Sequence, residues 1–234
     1  MIKKQIAVPV TGYSIQADWY ESTGQDILLA FVGLNSSKEN NGEFIARVVS
    51  DTGVSALVVD LSGHGNSPFD LDETTPAQHV LEAAKAYDWI KARYPESAVH
   101  VMGTSYGGFI AAYLSRFREV QKLILRTPAM YEPNDFYTEH RYIDKILVRE
   151  YRRNSVALKK HPLFLQKSLA ATSTLLIVHG EDKSVPHETT DAYREVFANK
   201  PYVAESFAHF FRDPSNPPTG ITEYYETIAN WLNT

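Results

Sequence analysis

Val99-His100-Val101-Met102-Gly103-Thr104-Ser105-Tyr106-Gly107-Gly108 is an apolar run broken by a serine fenced with glycines. Gly103, Ser105 and Gly107 fit the pattern G-x-S-x-G, in which a strand turns sharply into a helix and leaves the serine exposed at the apex. The glycines follow from that geometry, because a side chain at either flank would crowd the turn and block the approach to the serine. A helix that starts just after the serine also aims unpaired backbone N–H groups at the same point, where a developing oxyanion would be held. The stretch lacks the Gly-Lys-Ser/Thr ending of a phosphate loop, which disfavours a merely anion-binding turn. If Ser105 is a nucleophile, the rest of the chain must supply an acid and a histidine.

Around this centre, apolar strand-like runs alternate with helical patterns, as in a largely parallel sheet covered by helices. The runs are Gln5–Val10, Tyr13–Tyr20, Asp26–Val32, Ala56–Asp60, Val99–Met102, Leu123–Leu125, Leu175–Val178 and Val203–Phe207. Thr11-Gly12 predicts a tight antiparallel hairpin between the first two. A helix is expected from Glu43 to Ser50. Another begins with Thr75 as N-cap, Pro76 at the first position and Gln78 completing a capping box; Tyr94-Pro95 stops it. Phe109–Phe117 reads as a helix apolar on most sides, and the last helix places Ile221, Tyr224, Ile228 and Trp231 on one face.

Tyr131–Ser173 interrupts the alternation and is too long for a plain loop. Tyr142, Ile143, Ile146, Leu147 and Tyr151 recur at helical spacing, so the segment reads as a small helical cap within a single domain spanning residues 1–234. It holds eight Lys and Arg against five Asp and Glu, a net of +3. That excess is read as a solvated helix face in preference to recruitment of an acidic substrate.

Composition narrows the function classes. The formal net charge of −5 and the absence of a long basic tract argue against nucleic-acid binding. No apolar run approaches membrane-spanning length. There is no cysteine, which excludes disulfides, thiol catalysis and thiolate metal sites. Scattered His, Asp and Glu show no metal-ligand spacing, so neither metal nor cofactor is expected. The N-terminus, Met1-Ile2-Lys3-Lys4-Gln5, leads into a strand-like segment and not an apolar signal core, and the expected compartment is the cytoplasm.

A serine hydroxyl is a weak nucleophile at neutral pH. It needs a histidine to take its proton and a carboxylate to hold that imidazole in the right tautomer. Where the serine sits on such a turn, the acid and then the histidine follow it in the chain. Leu175-Leu176-Ile177-Val178-His179-Gly180-Glu181-Asp182 is a buried run ending in two carboxylates, of which Asp182 is preferred and Glu181 is the rival. His209 follows the last run; Phe207, Phe210 and Phe211 flank it and could exclude water from the imidazole. His64, His179 and His187 read as structural or exposed, Asp60 as a turn-stabilising residue, and Arg126 as a paired structural charge.

Four segments in the same order resemble the α/β-hydrolase superfamily. They are Gly103–Gly107, Asp60-Leu61-Ser62-Gly63-His64-Gly65-Asn66-Ser67, the turn from His179-Gly180 to Val185-Pro186, and His209. The resemblance spans about Asp26 to Trp231. It implies a mostly parallel sheet of about eight strands, flanked by helices and carrying a small helical cap. It further implies a serine hydrolase acting on a carboxylic ester, with a serine esterase or lysophospholipase-like branch and an acyl-thioesterase branch as its nearest likenesses. The chain departs from the family in two places. Val32-Gly33 stands where the family often has His-Gly; matching the glycine makes the Leu34 N–H the second oxyanion donor beside that of Tyr106, with Asn35 as the alternative. The acid turn is also one residue short between Gly180 and Asp182. Serine at the elbow argues against the halide- and epoxide-cleaving branches. A non-catalytic small-molecule-binding protein on the same scaffold is the alternative from another class.

Overall fold

Thr11-Gly12 turns the chain back on itself as expected, pairing strand β1 (Ile2–Val10) with β2 (Tyr13–Glu21) in an antiparallel hairpin whose Gly12 has φ 85°. This is seen in a computed structural model, which describes residues 2–165, 173–197, 201–210 and 217–234. The chain continues through β3 (Ile27–Phe31), helix α1 (Gly42–Thr52), β4 (Ser55–Asp60), α2 (Pro76–Arg93), β5 (Val99–Thr104), α3 (Tyr106–Leu114) and β6 (Lys122–Arg126). Then come α4 (Lys145–Tyr151), α5 (Ser155–Lys159), α6 (Pro162–Leu165), β7 (Ser173–His179), α7 (His187–Phe197), β8 (Tyr202–Ala204) and α8 (Ile221–Asn233). The eight strands form one sheet in the order β1-β2-β4-β3-β5-β6-β7-β8. β2 meets β4 antiparallel, and every pairing from β4 to β8 is parallel. The expected fold class, a mostly parallel eight-stranded α/β sheet with a small helical cap, is the one observed.

The strands in the middle of the sheet are buried on both faces, which is why they read as unbroken apolar runs with little alternation. Leu28 and Ala30 of β3 point into one core with Val48 of α1 and Tyr224 and Ile228 of α8. Leu29 and Phe31 point into the other, with Ile90 of α2, Phe109 of α3 and Tyr193 of α7. A parallel sheet covered in this way places the C-terminal ends of its strands along one edge, where open α/β sheets bind their ligands.

Three local expectations change. The Thr75 hydroxyl caps α2 by accepting from the Gln78 N–H at 3.1 Å, but the Gln78 amide donates to Tyr13 and Glu82, so only half of the capping box forms. The helix after the serine starts at Tyr106, earlier than Phe109, and all nine of its residues are buried. The last strand ends at Ala204 instead of Phe207, because the exposed Glu205 and Ser206 form a turn that returns the Phe207 N–H to the Ala204 carbonyl at 3.2 Å.

The cap is helical but built of short pieces, and its apolar face is not the one that spacing suggests. Ile143 and Val148 are buried, whereas Tyr142, Ile146 and Leu147 are exposed. With α4 only seven residues long, the chain turns before a single stripe can form. No helix among the described residues is long and apolar enough to cross a membrane.

Candidate active site

β5 delivers Ser105 into a backbone conformation, φ 54° and ψ −116°, that a residue with a side chain rarely adopts. The surrounding backbone holds it there. The Ser105 N–H donates to the Arg126 carbonyl at 2.9 Å, and the Ser105 carbonyl accepts from Gly108, Phe109 and Ala129. A Cβ on Gly103 would land on the Gly107 carbonyl, and one on Gly107 would land on the Phe31 carbonyl at the end of β3. The fencing glycines are therefore needed for backbone crossing inside the turn.

β7 and the segment after β8 bring the other groups. The His209 Nε2 lies 2.9 Å from the Ser105 hydroxyl, and the His209 Nδ1 lies 2.6 Å from the Asp182 carboxylate. With Nδ1–H donating to Asp182, Nε2 is left to accept the serine O–H, the tautomer that proton removal requires. The second Asp182 oxygen accepts from the Ser184 and Val185 N–H groups at 2.8 and 2.9 Å. Burial pushes the Asp182 carboxyl up, but the His209 bond and these backbone donors outweigh it and hold the group below its usual range. Glu181 is exposed, and its side chain makes no hydrogen bond or ion pair among the described residues. Its backbone N–H donates to the Phe207 carbonyl at 3.0 Å, which helps fold the histidine segment against β7.

Gly33 packs against the elbow, its Cβ position 3.6 Å from the Ser105 Cβ. Leu34 follows, half-buried, and Asn35 is exposed with φ 58°. Among the described residues the N–H groups of Leu34 and Tyr106 donate to no protein acceptor. Phe210 stacks edge-on against His209 at 4.4 Å, while Phe211 lies outside the described residues.

Two side-chain networks brace these pieces, and neither could be read from the sequence. The Arg126 Nε donates to the Tyr224 hydroxyl at 2.7 Å, which donates to the His179 Nε2 at 3.0 Å; the His179 Nδ1 donates to the Ala208 carbonyl at 2.8 Å. Arg126 and His179 thus serve as structural side chains, coupling β6, β7 and α8 to the residue before His209. On the other side, the buried Tyr106 hydroxyl donates to the His79 Nδ1 at 2.6 Å and lies 3.3 Å from the His140 Nε2 of the cap. His64 stacks on the Tyr106 ring without reaching the triad. Asp60 accepts from the Lys38 and Asn66 N–H groups and pairs with the buried Lys38 ammonium, so it braces a turn as expected. Thr127, which the sequence does not mark, places its hydroxyl 3.5 Å from the His209 Nδ1.

Burial pushes the pKa values of His140, His161 and His179 down to about 4, with Arg126 adding to the effect at His179. Their ordinary value is 6.5, so between pH 6.5 and 4 the unfolded chain binds more protons than the folded one. Stability is complete above pH 6.5 and falls toward pH 4, by on the order of 3 kcal/mol per histidine at the acid end. Asp182, with its depressed pKa, adds its own loss only at still lower pH. Circular-dichroism melts should therefore shift down by about 10 °C or more between pH 7.5 and 4.5. A flat profile would mean that these histidines are not buried neutral.

A family model described as alpha/beta hydrolase fold matches residues 26–166. No curated protein sequence matches the chain. Among solved structures, the Pyrococcus furiosus esterase Pf2001 is similar with a TM-score of 0.72 at 17% identity, over 99% of this chain and 90% of that one. Est1E of Butyrivibrio proteoclasticus, solved with ferulic acid bound, gives a TM-score of 0.67 at 15% identity over 97% of each chain. A hyperthermophilic esterase of the archaeon Pyrobaculum calidifontis gives 0.69 at 16% identity, over 99% of this chain and 83% of that one.

Proposed function

The chain belongs to the α/β-hydrolase fold family, and we propose that it is a serine hydrolase that cleaves carboxylic esters through an acyl-enzyme. One observation carries this reading: the continuous relay from Asp182 through His209 to the Ser105 hydroxyl, with bonds of 2.6 and 2.9 Å, at the C-terminal edge of the sheet. Ser105 attacks the ester carbonyl as His209 takes its proton. The tetrahedral oxyanion is held by the Tyr106 and Leu34 N–H groups. Collapse expels the alcohol, which receives the proton from His209, and water then repeats the sequence to release the acid. Asp182 keeps the imidazole oriented and stabilises the imidazolium that forms twice in each cycle. That Pf2001 and the Pyrobaculum protein are named esterases supports the choice of ester. Lysophospholipase-like and acyl-thioesterase activities would use the same machinery with a different leaving group.

A fluorophosphonate probe tests the reading directly. The expected result is stoichiometric labelling on the peptide containing Ser105, together with hydrolysis of p-nitrophenyl butyrate. A folded protein that neither labels nor turns over would instead be a binding protein on a hydrolase scaffold.

A further inference from the structure

Between Leu34 and the acid turn lies a cavity of about 740 Å³, whose wall does not include Ser105, His209 or Asp182. Leu34 forms part of its wall on the oxyanion side, and Ser184, whose N–H holds the triad acid, forms part of its wall on the other. Tyr131, Ile143 and Val148 supply apolar surface. Five further lining residues are basic, Lys145, Arg149, Arg152 and Arg153 from the cap and Lys183 from the acid turn, against one lining carboxylate, Asp72.

We propose that this cavity receives a negatively charged group of the substrate, so that the preferred ester carries a carboxylate or a phosphate away from its scissile bond. The inference rests on the hydrolase reading above. Three observations support it. First, none of the five cations forms an ion pair among the described residues; of the described cap cations outside the cavity, Arg141 pairs with Glu73 and Glu139 and Lys159 with Glu195, while Lys160 pairs with none. Second, Lys145 and Arg149 stand one helical turn apart on α4, and Arg153 follows in the turn beyond its end. Like charges at that spacing repel and weaken a helix. The nearby Asp144 caps α4 by accepting from the Ile146 and Leu147 N–H groups and forms no ion pair with Lys145 or Arg149. Third, Arg152 is positioned in advance. Its Nε donates to the Met130 carbonyl at 2.8 Å, its Nη1 lies 3.4 Å from the Ser184 carbonyl, and its guanidinium sits over the Tyr131 ring. A guanidinium held in this way can present its remaining N–H groups to an anion with little loss of freedom. The chain as a whole carries −5, so this basic surface is a local feature. It gives the cap's charge excess a function that a solvated helix face would not have.

Matched substrate pairs provide the test. Mono-p-nitrophenyl glutarate and p-nitrophenyl valerate have acyl chains of equal length and differ in one terminal carboxylate. Acetyl-CoA and S-acetyl-N-acetylcysteamine differ in the phosphates of the leaving group. The expected result is a preference of about tenfold in kcat/KM for the charged member of at least one pair. Preference in the first pair places the anion on the acyl side, and preference in the second places it on the leaving group. The double variant Arg149→Gln/Arg153→Gln should erase most of that preference, mainly through KM, while moving the neutral partner less than about twofold. Raising salt from about 0.05 to about 0.5 M should raise KM for the charged member alone. Neutral members cleaved as well as charged ones in both pairs, or a variant that slows both members equally, would overturn the subsite and leave the hydrolase intact. Failure to cleave any of the four, with Ser105 unlabelled by a fluorophosphonate, would overturn both.

Discussion

Ser105→Ala is expected to lower kcat/KM for p-nitrophenyl butyrate by a factor on the order of 10⁴ to 10⁶, with the melting midpoint close to that of the parent protein. The size follows from the role of the hydroxyl. It is the atom that forms the acyl bond, and among the described residues Ser105 supplies the side-chain hydroxyl bonded to the His209 Nε2. The residual rate would come from binding and from the oxyanion donors, both of which the variant keeps. Stability should hold because the elbow is fixed by backbone bonds from Ser105 to Arg126, Gly108, Phe109 and Ala129, and alanine preserves all of them. Steady-state kinetics with a circular-dichroism melt check both halves. Retention of even a hundredth of the activity in a folded variant would contradict a covalent mechanism at this serine.

The second large effect separates the two neighbouring carboxylates. Asp182→Asn is expected to cost on the order of 10⁴ in kcat, whereas Glu181→Gln should change it by no more than about twofold. Asparagine can still accept from the Ser184 and Val185 N–H groups, so the turn should survive. An amide directed at the His209 Nδ1 favours the tautomer that leaves Nε2 protonated, and such an imidazole cannot take the serine proton. Glu181 is exposed, and its side chain hydrogen-bonds to none of the three members of the relay. If the Glu181 variant lost more activity than the Asp182 variant, the acid would have to be reassigned. A circular-dichroism melt of both variants also distinguishes loss of the base from loss of the fold, because only the former leaves the melt unchanged.

Much of the fold was legible because a parallel sheet covered on both faces writes its strands as contiguous apolar runs, and β3, β4, β5 and β7 are such runs. The hairpin and the start of α2 were legible for a different reason: their signals, Thr11-Gly12 and Thr75-Pro76, act within a few residues. Legibility failed where a residue's fate depends on distant partners. Gln78 gave up its capping role because Tyr13 and Glu82 compete for its amide. Tyr142, Ile146 and Leu147 have helical spacing, but spacing does not say which side of a short helix meets the domain. The Tyr106 hydroxyl finds its partners 27 and 34 residues away, and Arg126 finds Tyr224 98 residues away. No pattern along the chain announces such meetings. The site's chemistry was therefore readable as motifs, while the braces that hold it are a property of the folded chain.

The bond from His179 to the Ala208 carbonyl, fixed in turn by Tyr224 of α8, has a consequence for how the protein comes into being. The serine and its elbow leave the ribosome 104 residues before the histidine that activates them. At a synthesis rate of about 5–20 residues per second, that delay is roughly 5–20 s. Even then the brace through His179 to the Ala208 carbonyl is incomplete until α8 has been made and docked. Throughout that interval the nascent chain carries a serine as unreactive as any surface alcohol, surrounded by whatever esters the cell contains. The order of the chain acts as a timing device: the nucleophile is built first and armed last, so an incomplete molecule is also an inactive one.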